Sequence, residues 1–290
     1  MRLVSFRADV GSRIGVMRNG DEVVEIDEPG DMLSLIDAGE SGLAAARSAL
    51  SSSRAKAHRL GSVELLSPIP EPRGNIIAIG RNYQKHAAET AAIEGREPSP
   101  PTIFTKAITS LTEPFADIAI DPAVSDNIDW EVELGVIIGK KGANIKRDRA
   151  RPYVFGYTVV NDVTARDIQS GWGGQYFKGK SLDRSSPMGP WIVTADEIPD
   201  PQSLRLQLHV GGVQKQDGNT NDMIYTVDAV IEWVSIGMTI LPGTIIATGT
   251  PDGVGFARKP PEFLKPGDVM ETEVENVGKL RNRIVAADGD

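Results

Sequence analysis

Asp129-Trp130-Glu131-Val132-Glu133-Leu134-Gly135-Val136-Ile137-Ile138-Gly139 alternates acidic with apolar residues in its first half and is apolar in its second. Period-two alternation predicts a strand with one polar and one buried face, so Glu131 and Glu133 project the same way. Same-face neighbours lie roughly 6.5 to 7 Å apart at the backbone, close enough for two Glu side chains to converge on one ion. The apolar second half is expected to run into the core, leaving the acidic half at a rim. A second apolar run, Phe155-Gly156-Tyr157-Thr158-Val159-Val160, ends in Asn161-Asp162 and places another carboxylate at a strand end. Three carboxylates form an all-oxygen donor set that suits Mg²⁺, Mn²⁺ or Ca²⁺ and does not suit zinc. An exposed Glu-x-Glu strand face with an unrelated Asp in a turn fits the same spacing.

The chain has 290 residues, 40% hydrophobic and 24% charged, with a formal net charge of −9. That is an ordinary globular composition, sufficient for one large domain or a large and a small one. The negative charge argues against nucleic-acid and anionic-membrane surfaces, which need a clustered positive field. With no cysteine in the sequence, disulfides, thiolate metal sites and a cysteine nucleophile are all excluded. The N-terminus lacks an apolar signal region and no apolar run approaches the ~20 residues of a membrane span, so a cytoplasmic protein is expected.

Residues 1–70 read as a small αβ unit. Arg13–Met17 and Glu22–Ile26 flank Arg18-Asn19-Gly20-Asp21, a hairpin signal. Helices are expected over 31–36 and 43–50, separated by Gly39 and Gly42. The Pro-rich stretch Leu66–Gly74 cannot be helical and reads as a linker, which puts the domain boundary at 70/71. Beyond it the chain is mostly β-like. Leu241-Pro242-Gly243-Thr244 and Lys265-Pro266-Gly267-Asp268 predict type II turns, and Asp228–Ser235 predicts a helix. Hairpins and Greek-key connections are expected in preference to a doubly wound sheet.

Only three histidines are present, His58, His86 and His209. His86 follows the strand-like Asn75–Ile79 and shares a helix face with Glu89 at i, i+3. Glu beside His can orient the ring and raise its basicity, giving a proton-accepting pair; a surface salt bridge fits the same spacing. Arg166 and Gln169, also at i, i+3, could hold a substrate carboxylate or form a helix-terminal ion pair. Lys180 could stabilise an enolate or be merely solvated. Gly249-Thr250-Pro251-Asp252-Gly253-Val254-Gly255 lacks the endings of nucleotide-binding loops and could form a backbone nest for a carboxylate or carbonyl oxygen, or a plain tight loop.

Taken in order, GRNYQKHAAE, PTIFTKAITSL, DWEVELGVIIG, GYTVVNDVTARDIQ, FKGKSLDRSSPMGP and ILPGTIIATGTPDGVG resemble the fumarylacetoacetate hydrolase family, in particular its short acylpyruvate hydrolase-like members, over roughly residues 75–285. The resemblance implies an α+β fold: a mixed β-sandwich or β-roll catalytic domain over 71–290 beside the small αβ domain over 1–70, usually dimeric. It implies metal ligands Glu131, Glu133 and Asp162, with Mg²⁺ as cofactor, or Mn²⁺, or Ca²⁺ in a crystal. It further implies a catalytic group of His86, Glu89 and Lys180, with residues 84–95 as a lid. Arg81, Tyr83, Arg166, Gln169 and Thr250 are implied to contact substrate. Thr244 departs from the family's usual Asp after Leu-x-Pro-Gly, in a turn where no loss of chemistry is expected.

The activity implied is metal-dependent hydrolysis of a carbon–carbon bond in a 2,4-diketo acid, to pyruvate plus a carboxylic acid. The same enolate-stabilising site would serve an oxaloacetate decarboxylase or a 2-oxo acid isomerase or dehydratase. A catalytically silent dicarboxylate-binding protein is the reading from another class. The partner expected is a small 2-oxo or 2,4-diketo acid, with a second copy of the chain and neither nucleic acid nor membrane.

Overall fold

The computed structural model describes residues 1–9, 11–27, 30–94 and 100–287, with the side chains of 91–94 left aside. Its backbone is an 11-stranded mixed sheet, a five-stranded sheet and a two-stranded ribbon, with few helices. This is the expected α+β architecture.

The acidic segment lies at the centre. Val132–Ile138 is a strand with every residue buried, at roughly 1.5 to 3 kcal/mol for each large apolar side chain removed from water. It runs antiparallel to Val154–Asn161, pairing Val132 with Asn161 and Glu133 with Val160. The start of one strand therefore adjoins the end of the other, and Asp162 N–H donates to the Glu131 carbonyl at 2.9 Å. Residues about 30 apart in sequence meet because the strands are antiparallel. On its other side Val132–Ile138 pairs with Ile245–Ala247, which pairs in parallel with Ile76–Gly80. The segments leading to the Gly-rich loop and to His86 thus sit beside the carboxylates.

The expectation of one strand running through Asp129 is corrected, and the alternative of an exposed Glu-x-Glu face is not what forms. Ile128–Asp129 pairs separately with Thr164–Ala165, and Trp130 and Glu131 connect it to the long strand. Glu131 and Glu133 are 5% and 1% exposed, so the polar face looks into a buried site.

Ser12–Arg18 and Glu22–Glu25 form the hairpin expected at Asn19-Gly20, both of which have positive φ. The 70/71 boundary falls in an irregular stretch, yet the sheet crosses it: Leu3 pairs with Ile192, and Leu3, Ile14, Met32 and Leu35 share one core with Ile137, Phe155 and Ile245. Turns at Gly243 and Gly267 and a helix over Val227–Ser235 also form as expected.

Helices span Met32–Asp37 and Glu40–Ser51. Gly39, at φ 56°, separates them, but Gly42 lies inside the second helix and brings it against the first: a Cβ there would stand 2.2 Å from the Leu35 carbonyl oxygen. Gly42→Ala gains about 1 kcal/mol in helix propensity and loses about 1 to 3 kcal/mol to overpacking against backbone. The expected result is a lower thermal midpoint, read by circular dichroism; a midpoint at or above wild type would show that the helices can part without cost.

Candidate active site

Each carboxylate of the triad has one oxygen contacted by a single basic side chain or backbone N–H. Arg166 Nη2 lies 2.7 Å from Glu131 Oε1, although that nitrogen is not aligned for a hydrogen bond, so the contact is an ion pair. Lys106 Nζ donates to Asp162 Oδ1 at 2.5 Å, and Gly249 N–H donates to Glu133 Oε2 at 2.8 Å. Lys180 Nζ then bridges the other oxygens of two of them, Glu131 Oε2 at 2.7 Å and Asp162 Oδ2 at 2.8 Å. One oxygen of each of Glu131, Glu133 and Asp162 lies within 4.8 Å of the others. That spacing fits ligands around a single divalent ion with bonds of about 2.0 to 2.6 Å, and the hard all-oxygen set fits Mg²⁺ or Mn²⁺.

The electrostatics divide the three carboxylates. Burial opposes the charge of Glu131, but Lys180 and Arg166 outweigh it and the carboxyl is pulled down to about 2. Burial, reinforced by the charges of Asp162 and Glu131, pushes Glu133 well above the usual carboxylate range. Burial draws Lys106 down while Asp162 opposes it; for Lys180 the Asp162 and Glu131 charges prevail over burial and raise it. Crowding of buried anions that leaves Glu133 disfavoured as a carboxylate is the electrostatics of a cation site.

His86 lies on the helix Gln84–Glu94, 5% exposed, with Nδ1 at 2.8 Å from Glu89 Oε1. A carboxylate can only accept, so Nδ1 carries the proton and Nε2 is left as the base. Glu89 is fixed in turn by Gly253 N–H, 3.2 Å from both of its oxygens. The lid expected over 84–95 is helical through residue 94, and residue 95 lies outside the described residues.

The Gly-rich loop is the backbone nest that its sequence allows, and it holds the protein's own carboxylates. Gly249 N–H serves Glu133, Gly253 N–H serves Glu89, and Gly255 and Phe256 N–H serve Asp129 at 2.7 and 3.0 Å. Gly249 has φ 99° and approaches Asn82 and Ile79 so closely that a Cβ would stand 2.7 Å from the Asn82 Cβ.

A tight cavity is lined by Arg81, His86, Glu131, Glu133, Arg166, Gln169, Lys180 and Thr250, with Phe104, Tyr176 and Phe256 as aromatic walls. It brings together most of the residues expected at substrate. Arg166 is already engaged: Nε with Asp129 at 2.8 Å, Nη1 with Gln169 Oε1 at 3.0 Å, and its face with the Phe256 ring at 4.2 Å. The open bidentate fork expected for a substrate carboxylate is closed on Asp129 and Glu131. Asp129 therefore anchors Arg166. Thr250 reaches the cavity, but its hydroxyl donates to the Val132 carbonyl at 2.9 Å and accepts from Gln216 at 2.8 Å. Tyr83 is corrected: it is 1% exposed in the main core, bridges to Met223 and is absent from the cavity wall.

Lys106 and Gln216 were not singled out as site residues by the sequence. Lys106 is fully buried at the end of Thr102–Lys106. Its signal was available, a lysine closing a β-prone run inside PTIFTKAITSL. Gln216, 1% exposed, ties Val132 N–H to Thr250 and to the Pro251 carbonyl. Nothing in VQKQDGN marks it, because its partners are more than 30 positions away. A larger cleft of about 1000 Å³ lies elsewhere, between the N-terminal strands and the five-stranded sheet, lined by Arg2, Phe115 and Trp191. Volume alone does not locate the chemistry, since the carboxylate cluster is not in it.

The fold and a carboxylate triad that could hold a divalent ion belong to one class of enzyme architecture, and the chain belongs to the fumarylacetoacetate hydrolase family: residues 75–285 match the family model described as fumarylacetoacetate (FAA) hydrolase C-terminal. Among its relatives are "Oxaloacetate tautomerase Fahd2a, mitochondrial" of Rattus norvegicus, 40% identical over 98% of this chain and 92% of that protein, and "Oxaloacetate tautomerase YisK" of Bacillus subtilis, 41% identical over 88% and 87%. A solved maleylpyruvate hydrolase from Sphingobium sp. SYK-6, in complex with manganese (II) ion and pyruvate, superposes with a TM-score of 0.82 at 31% identity over 99% of this chain and 100% of that one. Among the described residues, no helix is long and apolar enough to cross a membrane.

Proposed function

We propose that this protein is a divalent-metal-dependent tautomerase of oxaloacetate, interconverting its keto and enol forms. The observation that carries the reading is that His86, paired with Glu89, lines one cavity with Glu131 and Glu133 of the carboxylate triad, which provides a base for a C–H proton next to a site for an oxygen-chelated ion. Two relatives named oxaloacetate tautomerase, at 40% and 41% identity, favour this reaction over the hydrolysis implied by the sequence motifs.

A divalent ion held by Glu131, Glu133 and Asp162 would act as a Lewis acid toward the 1-carboxylate and 2-oxo group, making the C3 protons more acidic. His86 Nε2 accepts one C3 proton, while Glu89 keeps the other ring nitrogen protonated and stabilises the imidazolium that forms. The C3–H electron pair becomes the C2–C3 double bond, and the carbonyl pair moves to the C2 oxygen. Lys180, the buried ammonium at the cavity wall, donates a proton there, and exchange with solvent restores both groups. The reverse sequence returns the keto acid.

Hydrolysis of an acylpyruvate is the second reading, favoured by the likeness to the maleylpyruvate hydrolase. The two are separated by offering enol-oxaloacetate, acetylpyruvate and maleylpyruvate with Mg²⁺ and following ultraviolet absorbance together with release of pyruvate and CO₂. Accelerated loss of the enol band without either product is expected, and chelation should abolish it. Faster pyruvate release from an acylpyruvate would overturn the tautomerase reading in favour of hydrolysis, and CO₂ from oxaloacetate would do so in favour of decarboxylation.

A further inference from the structure

The contacts on the triad are of two kinds. Lys106, Arg166 and the Gly249 N–H each contact a single triad oxygen, Asp162 Oδ1, Glu131 Oε1 and Glu133 Oε2. Lys180 alone spans two different carboxylates, on Glu131 Oε2 and Asp162 Oδ2. Those are the oxygens of Glu131 and Asp162 that Arg166 and Lys106 do not contact. An ammonium bridging both oxygens competes for their lone pairs with a divalent ion that would bind at about 2.0 to 2.2 Å.

We propose that Lys180 is a resident countercation at the metal position, and that metal loading exchanges it off Glu131 and Asp162 into the cavity, where it becomes the cation that meets substrate. The exchange rests on the triad being a metal site and not on which 2-oxo acid is turned over. Lys106 differs from Lys180 in contacting Asp162 only on Oδ1, with its second bond to the Val163 carbonyl at 3.2 Å. It is fully buried and lies outside the cavity wall, which includes Lys180. Lys180 also lies 5.4 Å from the Phe104 ring centre, an aromatic face over which a displaced ammonium keeps a favourable contact. The two lysines thus have separate roles: Lys106 positions a ligand, and Lys180 competes for it.

Opposite effects on ion binding follow. Lys180→Met removes the competitor and is expected to tighten Mn²⁺ binding by about tenfold or more. Lys106→Met loosens the holder of Asp162 and is expected to weaken it by about tenfold. Binding is read without substrate, from loss of the free-ion electron paramagnetic resonance signal. A second measurement uses the wild-type protein: brief acetic anhydride labelling, with sites read by mass spectrometry. Lys180 should be protected without Mn²⁺ and become labelled when Mn²⁺ is added, while Lys106 stays protected in both. Equal shifts in the two variants, weaker binding in Lys180→Met, or a Lys180 whose labelling ignores Mn²⁺ would overturn the exchange. Wild-type protein that binds no Mn²⁺ would overturn the metal reading and the exchange together, whereas Mn²⁺ exchange in a protein inactive on oxaloacetate would reject only the tautomerase assignment.

Discussion

If the protein is the proposed oxaloacetate tautomerase, His86→Ala is expected to lower the rate of enol–keto exchange by about 100- to 10,000-fold, the range for removing a positioned proton-transfer group, while Mn²⁺ binding is expected to stay within a few-fold of wild type. The two readouts separate because His86 contacts Glu89, whereas the triad carboxylates contact Lys106, Arg166, Lys180 and Gly249. The imidazole is 5% exposed and its neighbour Thr90 bonds back to the His86 carbonyl, so truncation leaves a small cavity in an intact helix turn. Glu89→Gln is the graded companion. Gln can still accept from Nδ1–H, so the ring keeps its tautomer, but the negative charge that stabilises the imidazolium is lost and a smaller fall in kcat is expected. A His86→Ala protein that turns over oxaloacetate at the wild-type rate would remove His86 from the mechanism and move the base elsewhere on the cavity wall.

Local signals in the sequence were reliable where the structure is local. The Asn19-Gly20 hairpin, the turns at Gly243 and Gly267, the helix over Val227–Ser235 and the His86–Glu89 pair each depend on residues a few positions apart. The triad was legible for another reason: Glu131, Glu133 and Asp162 stand at the adjoining ends of two antiparallel strands, so strand ends located the ligands. What stayed hidden depends on long-range contacts. Whether Glu131 faced solvent or a buried site turned on Arg166, Lys180 and the surrounding sheet, and period-two alternation is the same for both outcomes. Tyr83 was implied as a substrate contact only by the family resemblance, and its backbone bridge to Met223 and its burial place it in the core. Gly42 read as a helix breaker because propensity says nothing of the Leu35 carbonyl that lies against it.

Asp162→Asn and Glu133→Gln each remove one carboxylate of the proposed metal site, and their expected effects on stability differ widely. Asp162 is fully buried, with Lys106 on one oxygen and Lys180 on the other. Neutralising it leaves two buried ammonium groups facing an amide whose nitrogen is itself a donor. Removing one partner of a buried pair costs about 3 to 5 kcal/mol, so Asp162→Asn is expected to lose at least that in denaturant unfolding, along with Mn²⁺ binding. Glu133 has a different set of contacts: its Oε2 accepts the Gly249 N–H, and no lysine or arginine pairs with it among the described residues. A Gln carbonyl can accept the same N–H, and its neutrality relieves repulsion from Glu131 and Asp162, so Glu133→Gln is expected to stay within about 1 kcal/mol of wild type. It should nonetheless lose Mn²⁺ binding by at least about tenfold, since an anionic ligand is replaced by a neutral one. Equal destabilisation of the two variants would mean that the lysines on Asp162 are not what the buried cluster depends on.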